Sequence, residues 1–152
     1  MTWEMAVQIA MAAVGALGFG LWFRISGMRL LTICWGGAAN WGFYLFALDL
    51  YEDRVSAFFF AALATAALAE VLARLLKTPV LTLLVPMLVP LVPGGDLYYT
   101  MLALVQGDMA AFAQFGSLAL KEAGAISFGV ILVACAVQTL LKLLTALRQK
   151  QA

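Results

Sequence analysis

Apolar residues run along this chain in stretches of about twenty, and most charged residues gather between them. A bilayer core of ~30 Å needs about 20 mostly apolar helical residues to cross it. Residues 3–23, 28–48, 55–76, 79–107 and 121–144 meet that requirement. The first stretch ends at Arg24 and Arg29 around a Ser26–Gly27 turn. The second ends in the acidic group Asp49, Glu52 and Asp53 with Arg54, and the third at Arg74 and Lys77. The fourth closes near Gly107–Asp108, Met109–Leu120 reads as a short interfacial or connecting helix, and the last span runs into a tail with Lys142, Arg148 and Lys150. The N-terminus lacks the positive region of a signal peptide and is followed by further spans, so it too reads as a membrane helix. The pattern predicts an all-α polytopic membrane helix bundle of about five transmembrane helices, one domain over residues 1–152.

The fourth stretch is the anomaly. Pro79, Pro86, Pro90 and Pro93 are all the prolines in the protein, and Gly94, Gly95 and Asp96 follow them. Proline removes a backbone donor and clashes with the carbonyl four residues back. Lipid offers that freed carbonyl no partner, so broken backbone survives at membrane depth only where it is buried in protein or lines a cavity. The carbonyls of Thr82, Pro86 and Val89 are therefore expected to lose their helical partners, and the fourth helix to be broken at the Pro-Gly-Gly motif.

Two further patterns organise the spans. Small residues at intervals of four permit close backbone approach. They recur as Ala12, Ala16 and Gly20, as Ala57, Ala61, Thr65, Ala69 and Ala73, and as Ala119, Ala123 and Ser127 with Ala125 and Gly129 alongside. Such faces serve either internal packing or another subunit. Basic residues collect on cytoplasmic flanks. With five spans, Arg24, Arg29, Arg74, Lys77, Lys142, Arg148 and Lys150 share one side, against Arg54 and Lys121 on the other. The N-terminus is then outside and the C-terminus cytoplasmic.

Composition narrows the chemistry. Of 152 residues 65% are hydrophobic and 11% charged, where a soluble domain carries about 25% charged residues. With no histidine, Ser-His-Asp catalysis, His-based zinc sites and haem-His ligation are excluded. Cys34 and Cys135 lie apart in apolar runs and read as buried thiols. A net charge of +1 offers no basic patch for nucleic acid. No nucleophile–base pair suggests an enzyme, and no cofactor or metal is expected. Membrane lipid is the expected surround.

Among the candidate residues Asp96 stands first. The free N–H groups of Gly95, Asp96, Leu97 and Tyr98 at the start of a second half-helix make a seat for an anionic group. Secondary transporters place such half-helix termini near the midplane. Pro93, Gly94, Gly95, Asp96 and Tyr98 are thus candidate substrate-binding residues. Asp96 serves either as proton carrier or ammonium ligand, or simply as a cap on the helix. Glu70 is a second proton-coupling candidate, with an i,i+4 pair to Arg74 as its plain explanation. Asn40, on a stripe with Gly36 and Tyr44, either bonds a neighbouring helix or lines the path. Glu122, beside Lys121, reads as half of an outer-interface pair.

The stretch VPLVPGGDLYYTMLALVQGD, residues 89–108, resembles the proline-rich C-terminal half of the threonine/serine exporter family. More closely, it is similar to the small membrane subunit found when that exporter is split into two chains. The early ALGFGLWFRI stretch, the third span and the final FGVILV helix fit the same layout. The residues matching the signature are Pro86, Pro90, Pro93, Gly94, Gly95, Asp96 and Tyr98. The resemblance implies a subunit in the bacterial inner membrane that works with a larger exporter-family partner. It also implies proton-driven export of threonine and serine, or of dicarboxylates such as succinate. The family's soluble N-terminal region is absent here, so the chain is expected to be an incomplete exporter. Two other readings stand beside this one: a homo-oligomeric pore gated at the Pro-Gly break, and an assembly subunit with no site of its own.

Overall fold

The computed structural model describes residues 3–149, with the side chains of residues 144, 145 and 147–149 left aside. Lys150 and the Arg148 side chain, both used above to assign orientation, therefore lie outside the described residues. The chain forms α1 (Trp3–Trp22), α2 (Met28–Tyr51), α3 (Arg54–Leu75), α4 (Val80–Leu88), a 3-10 turn (Val89–Leu91), α5 (Gly94–Gln106) and α6 (Met109–Gln149). There is no strand among the described residues, so the molecule is an all-α helix bundle. α1, α3 and α6 are long and apolar enough to cross a membrane, and α4 with its turn and α5 make a fourth candidate bent by 56°. α2, although 24 residues long, is less apolar. Asn40, Tyr44 and the two tryptophan–glycine stretches Trp35–Gly37 and Trp41–Gly42 dilute its aliphatic content.

Packing follows the small-residue faces. α2 lies between α1 and α3, α3 packs on α6, and α4 fills the groove over α1, α2 and α3. Ala57, Ala61, Thr65, Ala69 and Ala73 on α3 are all buried, as are Ala12, Ala16 and Gly20 on α1. Two helix crossings depend on glycine. A Cβ at Gly37 would collide with the Ala16 side chain and press on the Ala12 carbonyl. One at Gly129 would sit 2.8 Å from the Phe59 carbonyl oxygen and 3.1 Å from the Leu63 nitrogen. Large apolar side chains such as Trp3, Trp22, Trp35 and Phe46 point outward. An inside-out distribution of this kind suits a hydrocarbon surround.

α6 corrects the expected division into a connecting helix and a separate last span. It is one helix of 41 residues, about 60 Å long, or twice the bilayer core. No proline interrupts it, and the Lys121–Glu122 pair that looked like a boundary is accommodated within the helix because Glu122 is buried against Arg54. α3 and α6 run in the same direction, with Arg54 opposite Glu122 and Phe59–Leu63 opposite Gly129. The predicted third small-residue face is also rotated. Ala119 and Gly129 are buried, while Ala123 and Ser127 are exposed.

The break itself is held from the side. Pro86 lies inside α4, Pro90 in the 3-10 turn and Pro93 at the cap of α5. The Val89 carbonyl, expected to be free, accepts from the Val92 N–H at 3.1 Å by tightening into the 3-10 turn. The Met87 carbonyl, at the point where the α-helix gives way, accepts instead from Asn40 Nδ2 at 2.9 Å. Asn40 Oδ1 in turn accepts from the Thr65 hydroxyl at 2.8 Å. Asn40, Thr65 and Met87 are fully buried, so three helices share one satisfied polar chain. Asp53 caps α3 by accepting from the Ser56 N–H at 2.8 Å. That bond holds its carboxyl below the ordinary 3.8, so its stabilising effect is present above that pH and lost as pH falls through the folded value.

Two substitutions test this packing. Asn40→Leu leaves the Met87 carbonyl and Thr65 hydroxyl without their shared partner and should cost about 1 kcal/mol, read by reversible unfolding in mixed micelles. Gly129→Leu should cost more, roughly 2–3 kcal/mol, because the Phe59–Leu63 backbone must retreat from α6. An unchanged unfolding midpoint would contradict the close crossing.

Candidate functional site: an ion cluster beside the helix break

The Asp53 cap fixes the start of α3, which makes Arg54 its first residue. From there one guanidinium nitrogen reaches two helices. Arg54 Nη2 lies 2.6 Å from Asp96 Oδ2 on α5 and 3.0 Å from Glu122 Oε1 on α6. The two carboxylates consequently approach each other to within the sum of those distances. Asp96 is buried and Glu122 is fully buried, at 0% exposure, whereas the Arg54 side chain is 47% exposed. Asp96 receives a well-aligned charge-assisted bond. Glu122 does not: it is close to Arg54, but neither of its oxygens has a hydrogen-bond partner of good geometry. Tyr44 from α2, itself buried, lies within electrostatic reach of all three groups.

The cluster holds one cation and two carboxyl groups. If both carboxyls are ionised it carries a net charge of −1 away from water, an expensive state in a low-dielectric surround. It therefore has room for one more positive charge.

The sequence-predicted residues distribute unevenly around it. Pro93 caps α5, with no side-chain cap bond, and Asp96 turns to Arg54 rather than back to the helix end. Gly94 and Gly95 are exposed, with open space around them. The Leu97 N–H is already taken by the Pro93 carbonyl at 3.1 Å, which leaves a narrower seat than the sequence suggested. Tyr98 is exposed and meets Tyr99 edge-on, with ring centroids 5.5 Å apart. Asn40 belongs to the buried polar chain, one helical turn from Tyr44. Glu70 pairs with Arg74 at 3.1 Å near the other end of α3, about 24 Å of helix from Arg54. The structure does not bring it to Asp96. Nor is Asp96 at mid-depth of α3, since it lies level with that helix's first residue.

Arg54 and Glu122 are the residues that reading the sequence missed. Arg54 stood among loop charges, and Glu122 looked like an interfacial partner for Lys121, a reading its complete burial corrects. A signal was present in the helical spacing: Glu122 and Gly129 are seven apart on one stripe, both buried against α3. On another side of the break an apolar groove of about 520 Å³ is lined by Val92, Pro93, Leu97, Thr100, Ala119 and Ala123. No group of residues suited to a metal ion occurs among the described residues.

A multi-pass helix bundle with a bent, proline-broken helix and ionisable groups buried beside the break has the anatomy of a membrane transporter. The family model for the threonine/serine exporter, ThrE, matches residues 8–136, and the chain belongs to that family. It is a family of exporters rather than of enzymes, so the protein has an exporter-type role toward a small-molecule substrate. No curated protein and no solved structure matches the chain.

Removing the shared cation should be felt directly. Arg54→Gln leaves Asp96 and Glu122 facing each other without a countercharge and is expected to destabilise the fold by about 2 kcal/mol. That is below the ~3–5 kcal/mol of a fully enclosed pair because Arg54 is half exposed. Acidification should restore part of the loss by neutralising the carboxylates. Unfolding midpoints of both forms at neutral and acid pH check this.

Proposed function

We propose that the chain is the small membrane subunit of a proton-coupled secondary exporter of small carboxylate-bearing metabolites. Threonine and serine are the cargo the family points to, with a dicarboxylate such as succinate as the alternative. It works with a larger exporter-family subunit in the bacterial inner membrane, its N-terminus outside and its C-terminus cytoplasmic. The observation that carries this reading is the meeting of Arg54 with Asp96 at the N-terminal end of half-helix α5. A guanidinium and unpaired backbone N–H groups favour the same ligand, a carboxylate.

In this reading Pro93, Gly94 and Gly95 hold the half-helix terminus open for the substrate carboxylate, and Asp96 keeps Arg54 in place beside it. Tyr98, exposed beside them, closes over the site, and Asn40 keeps the break rigid from behind. Glu70, engaged with Arg74, has no part. The exposed Ala123–Ser127 face and apolar groove leave surface for the partner subunit or a second copy. Alternating access would rock one half of the complex against the other.

The test is efflux of preloaded threonine and of succinate from cells expressing the chain with its partner. Native efflux of one substrate, reduced about tenfold or more in Asp96→Asn at equal membrane levels, is the expected result. Equal efflux from both forms would remove Asp96 from the cycle. Conductance by this chain alone, without gradient coupling, would favour the pore.

A further inference from the structure

The excess negative charge at Arg54 has an address. Of the two carboxyls, Asp96 is satisfied: its Oδ2 receives the 2.6 Å bond from Arg54. Glu122 is fully buried, neither of its oxygens has a well-aligned donor, the same Nη2 that serves Asp96 stands 3.0 Å away without good alignment, and the Asp96 carboxyl is within side-chain hydrogen-bond reach. A buried, unsatisfied carboxylate beside another carboxylate is the group that most favours binding a cation. The charged and titratable groups facing it are Arg54 from α3, Asp96 from α5 and Tyr44 from α2; Lys121 is its neighbour on α6. Half-exposed Arg54 is the only member of the cluster in substantial contact with solvent, so movement of that side chain opens the route from Glu122 to water.

We propose that Glu122 is the exchange position of the exporter, where a proton and the ammonium group of the substrate exclude each other. This rests on the transport reading above and names the group that does its coupling. With a proton on one Glu122 oxygen, the cluster is neutral: Arg54 offsets Asp96, and the Glu122 acid is uncharged. When the proton leaves to water by way of the Arg54 side, the cluster carries −1 and accepts the substrate's ammonium group in its place, while the substrate's carboxylate lies outside the cluster on the free N–H groups that begin α5. Only the proton moves between Glu122 and water, and the guanidinium keeps its charge throughout. Because either cation satisfies the same charge, binding one expels the other, and a proton gradient drives the amine the opposite way. A coupling group at Asp96 would not require a second carboxyl buried behind Arg54.

Two measurements on the full-length chain, purified in lipid with its partner, test the assignment. The first needs no substrate. Infrared difference spectra between neutral and alkaline pH, where exposed carboxyls stay ionised, should show the carbonyl stretch of a protonated carboxylic acid whose position moves in Glu122→Asp and stays unchanged in Asp96→Glu. A band that moves with Asp96→Glu and not with Glu122→Asp, or no titrating acid band at all, overturns the proposal. The second is proton release when threonine is added in weak buffer. Close to one proton per bound threonine is expected from the native protein and none from Glu122→Gln. Threonine binding without release overturns the exclusion of proton by ammonium. A lack of threonine binding would instead count against the transport reading and the ammonium half of the proposal, while the infrared band still decides where the proton sits.

Discussion

A backbone carbonyl out of reach of water must find a donor, and the prolines of the fourth hydrophobic segment deny the usual one. The rest of the bundle is arranged around the ways in which that demand is met. At Val89 the chain answers locally by tightening to a 3-10 turn. At Met87 the answer comes from another helix, through Asn40, which is held in turn by Thr65. The alanine faces of α1 and α3, and Gly37 on α2, bring those helices close enough for so short a side chain to reach. Small-residue packing and polar satisfaction are thus one device here. Neither would hold the break without the other.

The break in turn aims α5. Bent away by 56°, α5 rests chiefly on α6, and its third residue is delivered to the first residue of α3. Arg54, Asp96 and Glu122 come from three helices, and no two are nearer than 26 positions in the chain. A site assembled this way responds to any shift among the helices. That is the property a transporter needs at the point where binding and movement meet.

Much of this was legible in order and little of it in depth. Prolines announce a break by their covalent chemistry, and alanines at intervals of four announce a face, so the bent helix and the packing of α1 and α3 could be read directly. The partnership of Arg54 with Glu122 could not, because a charge in a sequence carries no sign of whether it meets water or another charge. The same ambiguity hid the continuity of α6: Lys121–Glu122 reads as a boundary until Glu122 is known to be buried. Asp96 stands out in the sequence, and its partner in the structure is a guanidinium and not the helix end it begins.

The uninterrupted course of α6 makes it a stiff beam with a bearing. Gly129 sits in close backbone contact with Phe59 and Leu63, and Glu122 lies about 10 Å from that point along the rod. The beginning of the helix, where α5 joins it, lies about 30 Å from the same point. Tilting about Gly129 therefore scales motion down threefold between the tip and the ion cluster. A displacement of about 3 Å at the tip becomes about 1 Å at Glu122, enough to make or break a contact with Arg54.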